Sequence, residues 1–246
     1  FATYYFFPSY TCFYMKNKIS HKKRKDFMNK GFTLAEVLIT LGIIGVVVAL
    51  TLPALINEYK KQEYVARLQK GISILNNGYR LMMADEEVND FDQLELQKCN
   101  PTVVSSDFSC ISPYFKKYFN IVADNASNSD DFYPYTEVIT LKKSNGAVVG
   151  VLCIKQYYSF ITGDGILFAP FSFAGVGDAV IDVNGNRKPN QVGRDIFVLE
   201  NNNGTFVPKG SKTWDDASNN DYCDTKSGLG YGCGARIVAK GWKMDY

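Results

Sequence analysis

The chain holds 246 residues with 27 Lys/Arg against 25 Asp/Glu, a formal net charge of +2. That balance hides two unlike parts: residues 1–31 carry seven basic residues and one acidic, and the remainder carries 20 and 24, about −4. With no basic surplus beyond residue 31 to displace phosphate counterions, nucleic acid is not expected as a primary partner. The single histidine, His21, precedes residue 31, so no Ser-His-Asp or Cys-His arrangement can form after it. No phosphate loop or dinucleotide fingerprint occurs, and Asp164, Asp130-Asp131 and Asp215-Asp216 read as turn aspartates. The chain is therefore not expected to be an enzyme.

In chain order, residues 1–14 are aromatic-rich and contain no Met, and they read as an over-extended reading frame, with Met15 or Met28 as better starts. The basic cluster at 21–25 and Lys30 come next. Residues 37–56 then form a run of twenty without one charge, enough for a helix of roughly 30 Å that crosses a bilayer. By the positive-inside rule, the N-terminus lies in the cytoplasm and the C-terminal bulk outside. Glu36 stands at the edge of the apolar run, where an unpaired carboxylate is costly and calls for a partner.

The stretch Gly31-Phe32-Thr33-Leu34-Ala35-Glu36, with basic residues before it and the apolar run after it, resembles the leader and first helix of type IV prepilins and type II secretion pseudopilins. The resemblance covers about residues 30–56. It implies cleavage between Gly31 and Phe32 by a prepilin peptidase and methylation of the new amino terminus. It also implies that Glu36 neutralises the Phe32 amine of a neighbouring subunit as a helical filament grows from an inner-membrane assembly platform.

From residue 57 the apolar positions Tyr59, Tyr64, Val65, Leu68, Ile72, Leu75, Tyr79, Leu81 and Met82 recur at spacings of three and four, with charges between. One helix over 33–84 is expected, broken or kinked near Pro53 if anywhere. Residues 85–133 read as a small helical insert with a short helix at 112–119. Strands are expected at 136–142, 147–154, 166–169, 178–183 and 195–199, with Asn145-Gly146 as a hairpin turn. An antiparallel sheet of about four strands would lay its apolar face on the second half of the long helix. For 233–246 the pattern leaves strand and helix open, with Trp242 and Tyr246 expected to pack the tail onto the body.

Five cysteines follow residue 31. Cys99 with Cys110 and Cys223 with Cys233 each close a loop of about ten residues, which suits local bridges in an exported protein. Cys153, in an apolar run, reads as a buried free thiol, and a zinc site finds neither histidine nor a CxxC pair. Asp182, Asn184 and Asn186 alternate like the first positions of a calcium loop, with Asp195 beyond them. Gly185 is misplaced for that pattern, Lys188 brings a positive charge, and no acidic residue stands twelve along. Two readings stay open: a calcium site of Asp182, Asn184, Asn186 and Asp195, or a turn network in which Asp182 and Asn184 cap backbone amides and Asn190 and Gly193 take unusual dihedrals.

The expected fold is α+β, a long N-terminal transmembrane and amphipathic helix packed on a small antiparallel sheet in a pilin-like lollipop. Residues 1–31 form the leader, 32–56 the membrane or filament-core half of the helix, 57–84 its amphipathic half, and 85–246 the extracytoplasmic domain. The expected role is a structural filament subunit acting mechanically, with prepilin peptidase, other pilin-like subunits and membrane lipid as partners. The alternatives are a minor pilin for adhesion, motility or DNA uptake, and a membrane-anchored binding protein that does not polymerise. Calcium is the one candidate cofactor.

Overall fold

The computed structural model describes residues 31–99, 108–126, 139–142, 148–152, 157–173, 178–185, 187–202, 204–211, 223 and 230–246. Residues 1–30, the Asn145-Gly146 turn, Cys153, Asn186 and the Asp130-Asp131 and Asp215-Asp216 pairs lie outside them. The chain divides into two compact units, 1–49 and 50–246. Helix α1, Leu34–Asp85, has 52 residues, a run of roughly 78 Å at 1.5 Å per residue. Pro53 lies inside it and does not end it. The helix stops where Glu87 takes φ 54° and the Val88 N–H reaches back to Met83 O at 3.0 Å, the 6→1 bond of a Schellman cap.

Within the second unit, α1 presents Tyr64, Val65, Leu68, Leu75, Tyr79 and Met82 to the core, with Gly71 and Gly78 on the same stripe. Tyr59 and Leu81, expected on that stripe, are 68% and 56% exposed instead. Leu81 is two residues from Tyr79, about 200° around the helix, and Tyr59 is five from Tyr64, so both face away. The glycines permit close approach. A Cβ at Gly71 would meet Ile181 Cγ2 at 3.3 Å, and one at Gly78 would meet the Phe119 ring at 2.0 Å.

The main sheet has six antiparallel strands in the order β1-β4-β5-β6-β7-β8. These are β1 Ile121–Asp124, β4 Phe160–Thr162, β5 Leu167–Phe173, β6 Asp178–Asp182, β7 Ile196–Asn202 and β8 Thr205–Pro208. The remaining strands, β2 Ile139–Lys142 and β3 Val148–Leu152, pair with each other as a separate two-stranded sheet, whereas the sequence reading put them in the main one. Both faces of the central strands are covered. Phe168, Ile181, Phe197 and Leu199 join the helix-side core, while Leu167, Ala169, Val180, Ile196 and Val198 join a second cluster with Val192. Strands buried on two sides read as continuous apolar runs, as 179–181 and 196–199 do.

Side-chain amides and ion pairs sew these layers together. Asn76 on α1 donates from Nδ2 to Phe206 O (3.0 Å) and accepts the Phe206 N–H (2.6 Å), taking the place of a further strand beside β8. Helix α2, Ser112–Tyr118, carries Pro113 in its first turn and packs Phe115 among Tyr79, Tyr158 and Phe160. Its Ser112 hydroxyl (2.6 Å) and Lys116 ammonium (2.9 Å), with the Tyr158 hydroxyl (3.0 Å), meet the buried Asp124 carboxylate. Burial disfavours that charge, but these three donors outweigh it and hold the carboxyl below its ordinary range.

Disulfides join Cys99 to Cys110 ahead of α2 and Cys223 to Cys233 at the C-terminal helix. That helix, α3, covers Cys233–Ala239, which resolves the open choice for this segment. Trp242 and Tyr246 pack against the core, and the Tyr246 hydroxyl donates to Gly193 O at 2.5 Å.

Candidate functional site

The start of α1 is organised by two side chains. The Thr33 hydroxyl accepts the Glu36 N–H (3.2 Å), while Glu36 Oε2 accepts both the Thr33 N–H and the Thr33 hydroxyl, each at 2.8 Å. This is a reciprocal capping box, with the carboxylate at the positive end of the helix dipole. Glu36 was singled out for its charge; Thr33 was not, although Thr33-x-x-Glu36 is the sequence signature of such a cap. Ahead of the cap, Phe32 is 88% exposed and Gly31 has no neighbour within 4 Å of where a Cβ would stand.

Past the cap, the apolar side chains of α1 through Ile56 are exposed, and none of its most apolar window is buried. It is long and apolar enough to cross a membrane. A solvent-facing apolar rod of this length asks for a lipid or protein environment, since each large side chain gains roughly 1.5–3 kcal/mol on burial. A family model for the prokaryotic N-terminal methylation motif matches residues 27–52. This segment carries the type IV prepilin-like signature. Gly31, Phe32 and Glu36 all fall inside the prepilin-like match, and α1 continues well beyond it. No curated protein and no solved structure matches the chain.

The second constellation is the connection from β6 to β7. Asp182 and Asp195 are fully buried there, and Asn184 nearly so. Asp182 Oδ1 accepts the Asn184 N–H (3.1 Å). Asp195 Oδ2 accepts the Asn190 N–H (2.8 Å) and Asn184 Nδ2 (3.0 Å), and its Oδ1 accepts the Gln191 N–H (2.6 Å). Burial pushes the Asp195 carboxyl above its ordinary range, and the Gln191, Asn190 and Asn184 donors pull against that. The backbone bends this way because Gly185, Asn190 and Gly193 take φ of 67°, 51° and 84°. A side chain at Gly193 would collide with Cys233 Sγ at 2.6 Å.

Calcium takes six to eight oxygen ligands. Here both Asp195 oxygens are occupied by N–H donors, and the nitrogen rather than the oxygen of Asn184 faces that carboxylate. The Oδ1 atoms of Asn184 and Asn190 are buried without a hydrogen-bond partner. Among the described residues no group of three or more His, Cys, Asp or Glu could hold a metal, and Asn186 lies outside them. The described part of Asp182, Asn184, Asn186 and Asp195 is arranged as the turn network, and we derive no role for calcium from it. Asn190 and Gln191 matter here through their backbone N–H groups, which side-chain spacing alone did not reveal.

Proposed function

We propose that the chain is a structural subunit of a type IV pilus-like or type II secretion pseudopilus filament, processed after Gly31 by a prepilin peptidase. The observation that supports this most is the conjunction of the prepilin-like match at 27–52 with an exposed apolar helix that begins within it. In this reading the span holds the precursor in the inner membrane, N-terminus in the cytoplasm and the sheet domain outside. Copies then bundle their α1 helices, which buries the apolar surface, and the subunit works mechanically rather than catalytically.

Glu36 is the residue on which register depends. Among the described residues it receives only neutral donors, from Thr33, which leave its charge uncompensated in a low-dielectric bundle. The methylated amine of Phe32 on the next copy supplies that compensation. Glu36→Ala should abolish recovery in sheared filaments while leaving cleavage after Gly31 and the far-UV spectrum of the sheet domain unchanged. Incorporation of the variant at the parental level would refute the register role of Glu36, and absence of the parental chain from sheared filaments would refute the filament reading and leave a membrane-anchored protein that does not polymerise.

A further inference from the structure

The two disulfides span nearly equal stretches of chain, with sequence separations of 11 and 10, so loop closure contributes alike to both. Their surroundings are opposite. Cys223 and Cys233 are 1% and 3% exposed. Cys233 opens α3, its N–H donates to Gly230 O at 3.2 Å, and its side chain fills the space where a Cβ at Gly193 would stand. A thiolate reaches that bridge only after α3 and the β6–β7 connection part. Cys110, by contrast, is exposed, and Cys99 is half-buried at the end of the short helical turn Glu95–Cys99. An incoming thiolate therefore meets Cys110 at the surface, with Cys99 as the leaving group.

What flanks the exposed bridge decides what its opening does. On the Cys99 side, Leu96 is fully buried and the Gln97 N–H is held by Leu94 O at 2.9 Å. On the Cys110 side, Phe108 and Ile111 are buried, and the Ile111 and Ser112 N–H groups both return to Phe108 O, at 3.1 and 2.9 Å. The Ser112 hydroxyl is fixed again by Asp124, and Phe115 by Phe160 and its neighbours. Each end of the loop is seated by its own packing and hydrogen bonds. The bridge adds a covalent tie between two segments that are already in place, so it can open while the fold stands. Access and packing thus separate the two bridges in the same direction, and among protein disulfides the exposed ones are the labile or regulatory ones.

We propose that Cys99–Cys110 is a site of reversible thiol–disulfide exchange with a dithiol protein, and that Cys223–Cys233 is a permanent crosslink. One thiolate of the dithiol attacks Cys110 Sγ. The Cys99–Cys110 bond breaks, Cys99 leaves as a thiolate and takes a proton from water, and a mixed disulfide joins Cys110 to the partner. The partner's second thiol, having lost its proton to water, attacks its own half of that mixed disulfide. This closes the partner's disulfide and releases Cys110 as a thiolate, which water protonates. Two electrons pass to the chain and the partner leaves oxidised; the reverse sequence restores the bridge. The exchange requires neither the membrane span nor the filament, so its failure leaves that reading as it stands.

The test uses the full oxidised chain in detergent micelles, with free thiols first blocked by N-ethylmaleimide. Thioredoxin, kept reduced by its reductase and NADPH, serves as the dithiol. Thiols released from the bridges are trapped with iodoacetamide and located by mass spectrometry. Cys99 and Cys110 should label about tenfold faster than Cys223 and Cys233, or more, because the buried pair must wait for local opening. The far-UV spectrum and tryptophan fluorescence should stay at their oxidised values while the exposed pair labels. Cys99→Ser with Cys110→Ser should fold to the parental spectrum and keep the Cys223–Cys233 bridge. Equal labelling rates for the two bridges would overturn the proposal. So would labelling at Cys99 and Cys110 that begins only when urea has unfolded the chain, or loss of the oxidised spectrum as that pair is reduced.

Discussion

At the scale of single residues, Asp195 carries the most weight in the sheet domain. It is a buried carboxylate met by three neutral donors from Asn184, Asn190 and Gln191. Removing it strands all three, and each unsatisfied buried group costs about 1–3 kcal/mol. Asp195→Ala should therefore lower unfolding stability by about 3 kcal/mol or more, read as a lower urea midpoint at unchanged slope. A loss under about 1 kcal/mol would mean the turn is held by something else. Millimolar calcium should leave the parental midpoint where it is; a clear upward shift would restore the cation reading.

The oxygen-bearing residues of this loop were legible from spacing, and so was a turn network with Asn190 and Gly193 in unusual dihedrals, but spacing alone did not choose between that network and a cation. What spacing did not show is that the Asn190 and Gln191 N–H groups converge on Asp195, because side-chain pattern carries no record of where backbone amides point. Thr33 was the opposite case, a legible cap that the charge on Glu36 overshadowed.

At the scale of elements, α1 was the most legible because two different patterns, an uncharged run and a 3–4 stripe, meet in one unbroken helix. Its contact face was read less well. A count of apolar residues includes Leu81 and leaves out Gly71 and Gly78, yet the glycines are where Ile181 and Phe119 press in. Gly78→Ala tests this. Helix propensity alone favours alanine by about 1 kcal/mol. The new Cβ would overlap the Phe119 ring, itself stacked on Phe115 at 5.4 Å, so a net loss of about 1–3 kcal/mol is expected in thermal or urea unfolding. Gly42→Ala, with open space around it, should leave the sheet domain's midpoint unchanged. A Gly78→Ala variant as stable as the parent would show that the helix does not seat on Phe119 as described.

The strands β1, β4 and β8 were missed because three or four residues are too short to show a period. Each is defined by the neighbour it pairs with rather than by its own composition. The main sheet therefore has six strands where about four were expected.

For the molecule as a whole, the α+β architecture followed from the sequence because a charge-free stretch, an amphipathic stripe and a series of β-branched runs each demand a different environment. Any surface that meets other chains is encoded in a single chain only as exposed residues, such as the apolar ones of the span through Ile56. The central claim is that this exposed rod belongs to a processed, assembled subunit, and its chemical mark lies at one junction. Mass spectrometry of the native protein, recovered from sheared surface filaments or from its membrane, reads that mark directly. The account predicts a chain that begins at an N-methylated Phe32; a native chain that still carries Gly31 and the residues before it would contradict it.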